Sequence, residues 1–296
     1  SLSLKLFDQL IKPICMYGSE LWGPDCINMR KPGEDKLFSK FDKLNCEKIH
    51  LSFCRYILGV HRKAQNSAVT GELGRAPLGI DVVANILMYK KHLESKPSNS
   101  LLGESLSICE NNNSRYMSWS KSYNKIEQLV SQSSGLQCIK SRSRKGIKCI
   151  LEKMYSKFWS EKLRHERKMR MYRMIKSRLY LEDYLSIPNA KHRKALTRLR
   201  ISAHNLPIER GRYLRPPIPV NERLCTQCNN VCIGDDFHFL MECSMFNNDR
   251  QKLFDELYTL CPQLSNLQLI ERFLYLLTAS GNIIKSVAAF VHDNLP

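Results

Sequence analysis

The sequence predicts a mainly α-helical protein, with a basic helical unit and a small Cys/His knuckle that is followed by short helices. Apolar residues recur at three- and four-residue steps along much of the chain, and Gly and Pro stand where these runs end. Positive charge is concentrated in one quarter of the sequence, and one group of Cys and His residues has the spacing of metal ligands. Because 296 residues exceed the size of a usual single core, we expect two or three packed units.

Residues 1–94 are predicted to form a helical unit. The first apolar residues have helical spacing, and Pro13 should kink or restart their helix, which Gly18 or Gly23 can end. A second helical pattern runs from about Lys36 to Leu58, where Gly59 is a natural stop.

Residues 95–139 are interpreted as a Ser/Asn-rich connection. Twelve serines lie between residues 95 and 134, so a flexible or poorly ordered segment is the simplest interpretation. Trp119 and the stretch IEQLV still allow a short docked helix. Before this connection, Asn66 is a plausible N-cap for a short helix.

Residues 140–215 carry nearly all of the net charge of +18, with 23 Lys and Arg against 6 Asp and Glu, while the rest has 23 against 22. This concentration is typical of a surface that binds a polyanion, although a solvated helix face and a membrane-surface helix are alternatives. We predict a basic amphipathic helix or helix pair over about 146–180 and another helix over about 189–203. The residues expected to contact nucleic acid are Lys162, Arg164, Arg167, Lys168, Arg170, Arg173, Lys176, Arg193, Arg198 and Arg200.

The strongest chemical signal in residues 216–250 is a set with the spacing C-x2-C-x9-H-x4-C, namely Cys225, Cys228, His238 and Cys243. Two thiolates on a tight turn can hold one side of a zinc ion, and the His-x4-Cys pair can supply the other side. Four soft ligands leave no position for water, so the predicted zinc site is structural. Cys232 is a fifth candidate that could replace Cys228; coincidental packing cysteines and a redox Cys-x-x-Cys are the alternatives.

Other sequence signals favour a protein without catalytic activity. Gly234, Asp235 and Asp236 resemble the metal-binding turn of polymerases, but they lie between the predicted zinc ligands, and we interpret the acids as dipole partners of a helix that starts near His238. The sequence has no Gly-rich phosphate loop, Gly-x-Ser-x-Gly elbow or His-Glu-x-x-His motif. We expect neither an enzyme nor a small-molecule substrate.

The remaining features concern the environment and the C-terminal end. Most cysteines are expected to be reduced apolar fillers. No run approaches the ~18 apolar residues of a membrane helix, and no secretory signal is present, so we expect an intracellular protein of the nucleus or cytoplasm with no membrane partner. A start at Ser1 rather than Met suggests a fragment, a processed product or a trimmed chain. Residues 251–296 belong to a C-terminal group of short helices, predicted over about 247–260, 265–278 and 282–293.

Several stretches resemble one family. LKLFDQLIKPICMYGSELWG at 4–23 and FCRYILGVHRKAQNSAVTGELGRAPL at 53–78 resemble the region after the fingers and palm in non-LTR (LINE-type) retrotransposon reverse transcriptases. KMRMYRMIKSRLYLEDYL, ALTRLRISAHNLPIERGRY and the Cys/His cluster resemble the C-terminal segment of the same proteins. These stretches follow the family's order over most of residues 4–250.

The resemblance implies a helical thumb-like unit at residues 1–94 and a CCHC zinc knuckle, with the four Cys and His residues above as ligands. The x9 interval is longer than in the family, which leaves the role of Cys232 open. The family's catalytic aspartates, fingers, palm and endonuclease have no counterpart in this sequence. The implied function is therefore to hold template RNA or target DNA, alone or joined to an upstream polymerase region. A zinc-stabilised protein-interaction adaptor and a degenerate element remnant are the alternatives.

Overall fold

The structure, a computed structural model, describes residues 2–27, 32–111, 119–134, 143–228 and 231–296. The chain is 72% helical and forms no strand in these ranges, which confirms the predicted mainly α class. It divides into two compact units, one made of Ser1–Phe53 with Ala76–Lys162 and the other of Cys54–Arg75 with Leu163–Pro296.

Helices account for most of the described chain. In order, the α-helices are α1 (Leu2–Leu6), α2 (Lys12–Met16), α3 (Ser19–Cys26), α4 (Glu34–Phe41), α5 (Asn45–Leu58), α6 (Asn66–Glu72), α7 (Gly79–Glu94), α8 (Leu101–Asn111), α9 (Trp119–Ser134), α10 (Arg144–His165), α11 (Tyr172–Ile175), α12 (Ala190–Arg200), α13 (Pro207–Arg210), α14 (Asn247–Leu260), α15 (Leu269–Thr278) and α16 (Gly281–Asn294). Short 3-10 turns cover Arg167–Met169, Asp183–Ser186, Val220–Glu222, Ser244–Phe246 and Pro262–Asn266, and π-helical segments cover Phe7–Ile11 and His238–Glu242.

The first helical stretch shows the disruption predicted at Pro13. A π-helical segment separates α1 from α2, which contains this proline. Proline has no N–H and its ring would clash with the carbonyl four residues earlier, so a widened turn accommodates it. The left-handed Gly18 follows the end of α2, and the left-handed Gly59 follows the end of α5, as predicted.

Helix α7 is the centre of the first unit. Its apolar residues Ile80, Val83 and Ile86 are fully buried, and the helix packs against α3 and α9. Asp81, in its first turn, pairs with Lys12 at 2.6 Å and with Lys148 at 3.1 Å. Burial alone would raise the pKa of Asp81, but these ammonium groups hold it below its ordinary value. The acid therefore ties α2 and α10 to the central helix.

The interpretation of residues 95–139 as a connection needs correction. Helices α8 and α9 lie in this range, and α9 buries Tyr123, Ile126 and Val130 in the first unit. Trp119 stacks on Tyr123 at a centroid distance of 5.7 Å, and its indole N–H donates to the Glu20 carbonyl. The docked helix allowed by the sequence is thus confirmed, and it is longer than expected. Residues 112–118 and 135–142 lie outside the described residues.

The second unit is built around α16, which packs against α12, α14 and α15. The three C-terminal helices, α14, α15 and α16, lie close to their predicted ranges, which confirms that prediction. Asn66 is the first residue of α6 rather than its N-cap, and its side chain accepts a hydrogen bond from Arg55. Past His165 the predicted basic helix gives way to short turns, and Leu181 forms an isolated antiparallel bridge with Leu73.

Helix length and apolar composition together decide whether a helix can cross a bilayer. No single helix of the described residues is long and apolar enough to cross one. Only α15 and α16 taken together reach that length and composition, and the pair is bent by 100° at its break.

A buried ion-pair cluster, formed by Glu72, Lys176, Glu182, Tyr184 and Arg200, lies in the second unit. The guanidinium of Arg200 contacts both carboxylate oxygens of Glu72, at 3.0 and 3.1 Å, and Glu182 at 2.9 Å. Lys176 pairs with Glu182 at 2.5 Å. Two cations thus balance two carboxylates where the side chains of Arg200 and Glu72 are 1% and 0% exposed.

The hydroxyl of Tyr184 completes the cluster by bonding to Glu72 and to Thr197. Burial and the nearby carboxylate of Glu72 raise the pKa of Tyr184 well above its ordinary value. Burial alone would lower the pKa of Arg200, but Glu72 raises it above its ordinary value. Tyr184 therefore stays neutral and Arg200 stays charged.

We expect Arg200→Ala to lower the unfolding free energy of the second unit by about 3–5 kcal/mol, because it leaves buried carboxylates without their cation. Chemical denaturation followed by circular dichroism measures the change. The control is Lys191→Ala, an exposed position on the same helix, which should cost within about 0.5 kcal/mol. Equal losses for the two variants would contradict this assignment.

Candidate metal centre and nucleic-acid interface

The first two Cys ligands lie on a short antiparallel turn. Leu224 and Ile233 form an isolated bridge, and the Cys225 N–H donates to the Cys232 carbonyl at 2.8 Å. The Gln227 N–H points at the Sγ of Cys225, 3.4 Å away. The turn therefore holds the Cys225 thiol in place through the backbone.

His238 is the first residue of the π-helical segment His238–Glu242, and Cys243 is the residue that follows this segment. The carboxylate of Asp235 accepts the His238 N–H at 2.9 Å and so caps the start of this helical turn. The Cys243 N–H donates to the His238 carbonyl at 2.7 Å, and this i→i+5 bond places Cys243 one wide turn after His238. Both ligands consequently face the same side.

The four ligand atoms fit a tetrahedral metal. All of them lie within 4.8 Å of one another. The Sγ atoms of Cys225 and Cys243 are 3.9 Å apart, and the Sγ of Cys228 is 3.4 Å from His238 Nε2. Bond lengths of about 2.3 Å to sulfur and 2.0 Å to nitrogen place tetrahedral ligands about 3.8 Å apart for two sulfurs and about 3.5 Å apart for sulfur and nitrogen. The cluster can therefore hold a metal ion, and its donors are compatible with zinc.

Cys232 lies beside this set. Its Sγ is 3.3 Å from Nδ1 of His238, whereas the four atoms that lie mutually close include Cys228 instead. Glu242 also faces Nδ1 of His238, at 3.5 Å, the position at which a carboxylate orients a ligating imidazole. Burial raises the pKa of Cys243 to about 11, and burial and Cys228 raise that of Cys232 to about 11, so metal binding at Cys243 must release a proton.

The Gly-Asp-Asp segment has structural partners. Asp235 caps the turn that carries His238, which confirms its assignment next to a helix start. Asp236 is bonded to Nε2 of His204, and the other ring nitrogen of His204 accepts the Leu206 N–H at 3.2 Å. Burial raises the pKa of Asp235 above its ordinary value. Both carboxylates therefore have partners within the fold.

Sequence reasoning missed Arg250, which supports the cluster from α14. Its buried guanidinium donates to the carbonyls of Leu240 at 3.0 Å and Cys243 at 2.7 Å. These carbonyls belong to the end of the π-helical segment, where helical partners run out. Arg250 therefore fixes the backbone that presents Cys243. A basic residue seven positions after the last ligand is too weak a pattern to predict this contact.

A second group of possible ligands lies on α12 and α16. The ligand atoms of His192, His292 and Asp293 are within 4.8 Å of one another. Asp293 is bonded to Nδ1 of His292 at 2.8 Å, and its side chain is 65% exposed. This group offers three donors at the surface, in contrast to the closed set of four at the knuckle.

The structure corrects three of the predicted phosphate contacts. Lys176 and Arg200 lie in the buried ion-pair cluster, and Lys168 pairs with Glu209 at 3.3 Å with its side chain 7% exposed. A buried cation with a carboxylate partner cannot reach a phosphate without breaking that pair. We therefore assign these three residues to folding.

The other predicted cations are accessible to different degrees. The exposed ones are Arg164, Arg167, Arg170, Arg173 and Arg198, and the half-buried ones are Lys162 and Arg193. Lys162, in the first unit, pairs with Asp42 at 3.1 Å. Arg193 donates to the carbonyl of Ile187, a residue that precedes α12, at 2.6 Å. Five of the ten predicted residues, all of them arginines of the second unit, are therefore exposed.

Two of these arginines lie close to the knuckle. Arg167 and Arg170 line a cavity of about 380 Å³, together with three other basic residues, Lys168, Arg212 and Arg223, and three acidic residues, Glu209, Asp235 and Asp236. The five cations exceed the three carboxylates by two, which makes this cavity weakly attractive to anions. Arg212 and Arg223 were not among the predicted contacts.

The chain was compared with family models, curated proteins and solved structures, and none of them matches it.

Proposed function

We propose that this chain is a non-catalytic nucleic-acid-binding module with a structural zinc knuckle. The observation that carries the proposal is the set of exposed arginines on the unit that also holds the closed Cys/His cluster. The resemblance to non-LTR reverse transcriptases suggests template RNA or target DNA as the ligand. Its thumb-like unit and CCHC knuckle remain part of this proposal.

Zinc suits the cluster because three thiols and one imidazole are soft donors. The proposed ligands are Cys225, Cys228, His238 and Cys243. Since all four positions are filled by protein, the ion would crosslink the turn at 225–228 to the π-helical segment. Metal binding would then contribute to the folding of the knuckle rather than to a reaction.

The exposed arginines suit phosphate because a guanidinium offers paired donors to two oxygens. Contacts of this kind position a protein on the backbone and carry no sequence information. Each neutralised phosphate releases condensed counterions, so affinity depends steeply on salt. The proposed role is therefore to hold nucleic acid largely irrespective of its sequence.

Metal analysis tests the knuckle. We expect one zinc per chain at the knuckle and its loss in Cys228→Ser, with loosening of the local fold, because a four-coordinate structural site does not tolerate a missing thiolate. Cys232→Ser is the matched control and should keep the metal. If protein purified without chelator contains no zinc, the proposal is contradicted. If zinc is lost in Cys232→Ser but kept in Cys228→Ser, Cys232 replaces Cys228 as a ligand.

Binding across a salt series tests the interface. If about five phosphates of a duplex are contacted, affinity should fall about 500-fold between about 50 and 200 mM salt. Arg167→Ala/Arg170→Ala should reduce the slope by about two contacts and weaken all sequences alike. Fluorescence anisotropy with labelled RNA, single-stranded DNA and duplex DNA gives these slopes.

The charge-matched control for this series is Lys252→Ala/Lys285→Ala, which removes two cations from exposed positions on α14 and α16. It should leave the slope nearly unchanged, since neither lysine belongs to the proposed interface. Absence of binding by micromolar wild-type protein at about 50 mM salt would defeat the proposed function.

A protein-interaction adaptor is the second candidate function, and an apolar stripe in the first unit favours it. Large apolar side chains recur every three or four residues from α1 to α3, with exposures of 74, 45, 59, 75, 88 and 57%: Leu2, Leu6, Leu10, Ile14, Tyr17 and Leu21. Exposed apolar side chains that recur in this way are typical of a surface that another protein covers. It is compatible with the nucleic-acid function, because it lies in the other unit.

An adaptor would keep its partner at high salt, because apolar contact is not screened. We expect a protein that copurifies through this stripe to survive a high-salt wash and to be lost with Leu10→Ser/Ile14→Ser. Quantitative copurification with Leu101→Ser as control measures this, since Leu101 is an exposed leucine outside the stripe. Equal recovery from both variants speaks against the adaptor.

A further inference from the structure

A cavity of about 560 Å³ in the second unit is lined by basic side chains. Lys191, Lys194 and Arg198 enter it from α12, where their spacing puts them on one face of the helix. His61 enters it from the turn that follows α5. We refer to this concavity as the basic cavity.

Acidic side chains are missing from the described lining of the basic cavity. No Asp or Glu in the described ranges forms an ion pair with Lys191, Lys194 or Arg198. This separates them from Lys168, whose charge is matched by Glu209. Three uncompensated cations that share a concavity raise the local concentration of anions.

The pKa of His61 is affected by positive charges near the basic cavity. Partial burial and the nearby cations Lys168, Lys63 and Arg198 lower its pKa below the ordinary value. The imidazole is therefore neutral at physiological pH, and it offers an uncharged donor at the rim of the basic cavity.

Arg198 is held in position before any ligand arrives, and the stem of Lys194 lies against Gly59. Nε of Arg198 donates to the Gly59 carbonyl at 3.0 Å, which leaves the two terminal nitrogens of the guanidinium for an anion. Gly59 has φ +67°, and a Cβ there would lie 2.5 Å from Cδ of Lys194. The stem of Lys194 can lie across the turn only because this position is glycine. Preorganised side chains lose less entropy when they bind.

We propose that the basic cavity binds consecutive backbone phosphates of the bound nucleic acid, with Arg198 in bidentate contact with one of them and Lys191 and Lys194 in contact with its neighbours. This inference rests on the proposed function and adds a specific subsite to it. Two of its residues, Lys191 and Lys194, were not among the predicted phosphate contacts, and the turn at Gly59 comes from a distant part of the chain.

The test compares Lys194→Ala/Arg198→Ala with Lys252→Ala/Lys285→Ala, which removes the same charge outside the basic cavity. Anisotropy with labelled duplex DNA is recorded between about 50 and 200 mM salt. Loss of two phosphate contacts should lower the slope by about two, so the wild type loses about 12-fold more affinity over this range than the cavity variant. Arg198→Lys should keep the slope but bind more weakly, because an ammonium lacks the paired donors.

The outcomes separate the two proposals. A wild type that binds, with equal slopes for the cavity variant and its control, overturns the basic cavity and leaves the nucleic-acid function standing. A wild type that does not bind overturns both. If circular dichroism shows that the double variant is unfolded, Lys191→Ala replaces it, because Lys191 is exposed, and its slope should fall by about one.

Discussion

The contact between Arg200 and Glu72 constrains the whole second unit. Removing these charges from water costs several kcal/mol for each ion, so the pair is tolerable only when every remaining donor and acceptor is satisfied. Glu182, Tyr184 and the Leu277 carbonyl provide those partners. They come from segments that are far apart in the sequence, and α6, α12 and α15 must therefore converge around one charged centre.

This requirement divides the basic residues into two groups that the sequence does not distinguish. Lys176 and Arg200 neutralise acids inside the unit, whereas Arg167, Arg170 and Arg198 face solvent. Glu72 is 128 positions away from Arg200, so a local charge count assigns the arginine to the surface. The concentration of charge predicts a polyanion surface, but the exposure of each residue depends on tertiary pairing.

Helical periodicity predicted most elements because an apolar face must be buried wherever the helix packs. Helical periodicity did not predict the full length of α9, because its serines obscured the apolar spacing of Tyr123, Ile126 and Val130. The Cys/His cluster that could hold a metal ion was predictable from spacing, since metal geometry restricts short intervals. The contacts that support this cluster were not predictable, because Arg250 donates hydrogen bonds to backbone carbonyls that become available only in the folded turn.

The π-helical segment between His238 and Cys243 has a consequence for insertions and deletions. An ordinary α turn brings residues four apart onto one face, which would serve a His-x3-Cys pair, whereas the wider turn serves the His-x4-Cys found here. The wider π-helical turn accommodates the additional residue. Loss of one residue between the two ligands would convert the turn to α-helix and keep both donors on the same side, so this interval can change length without a new loop.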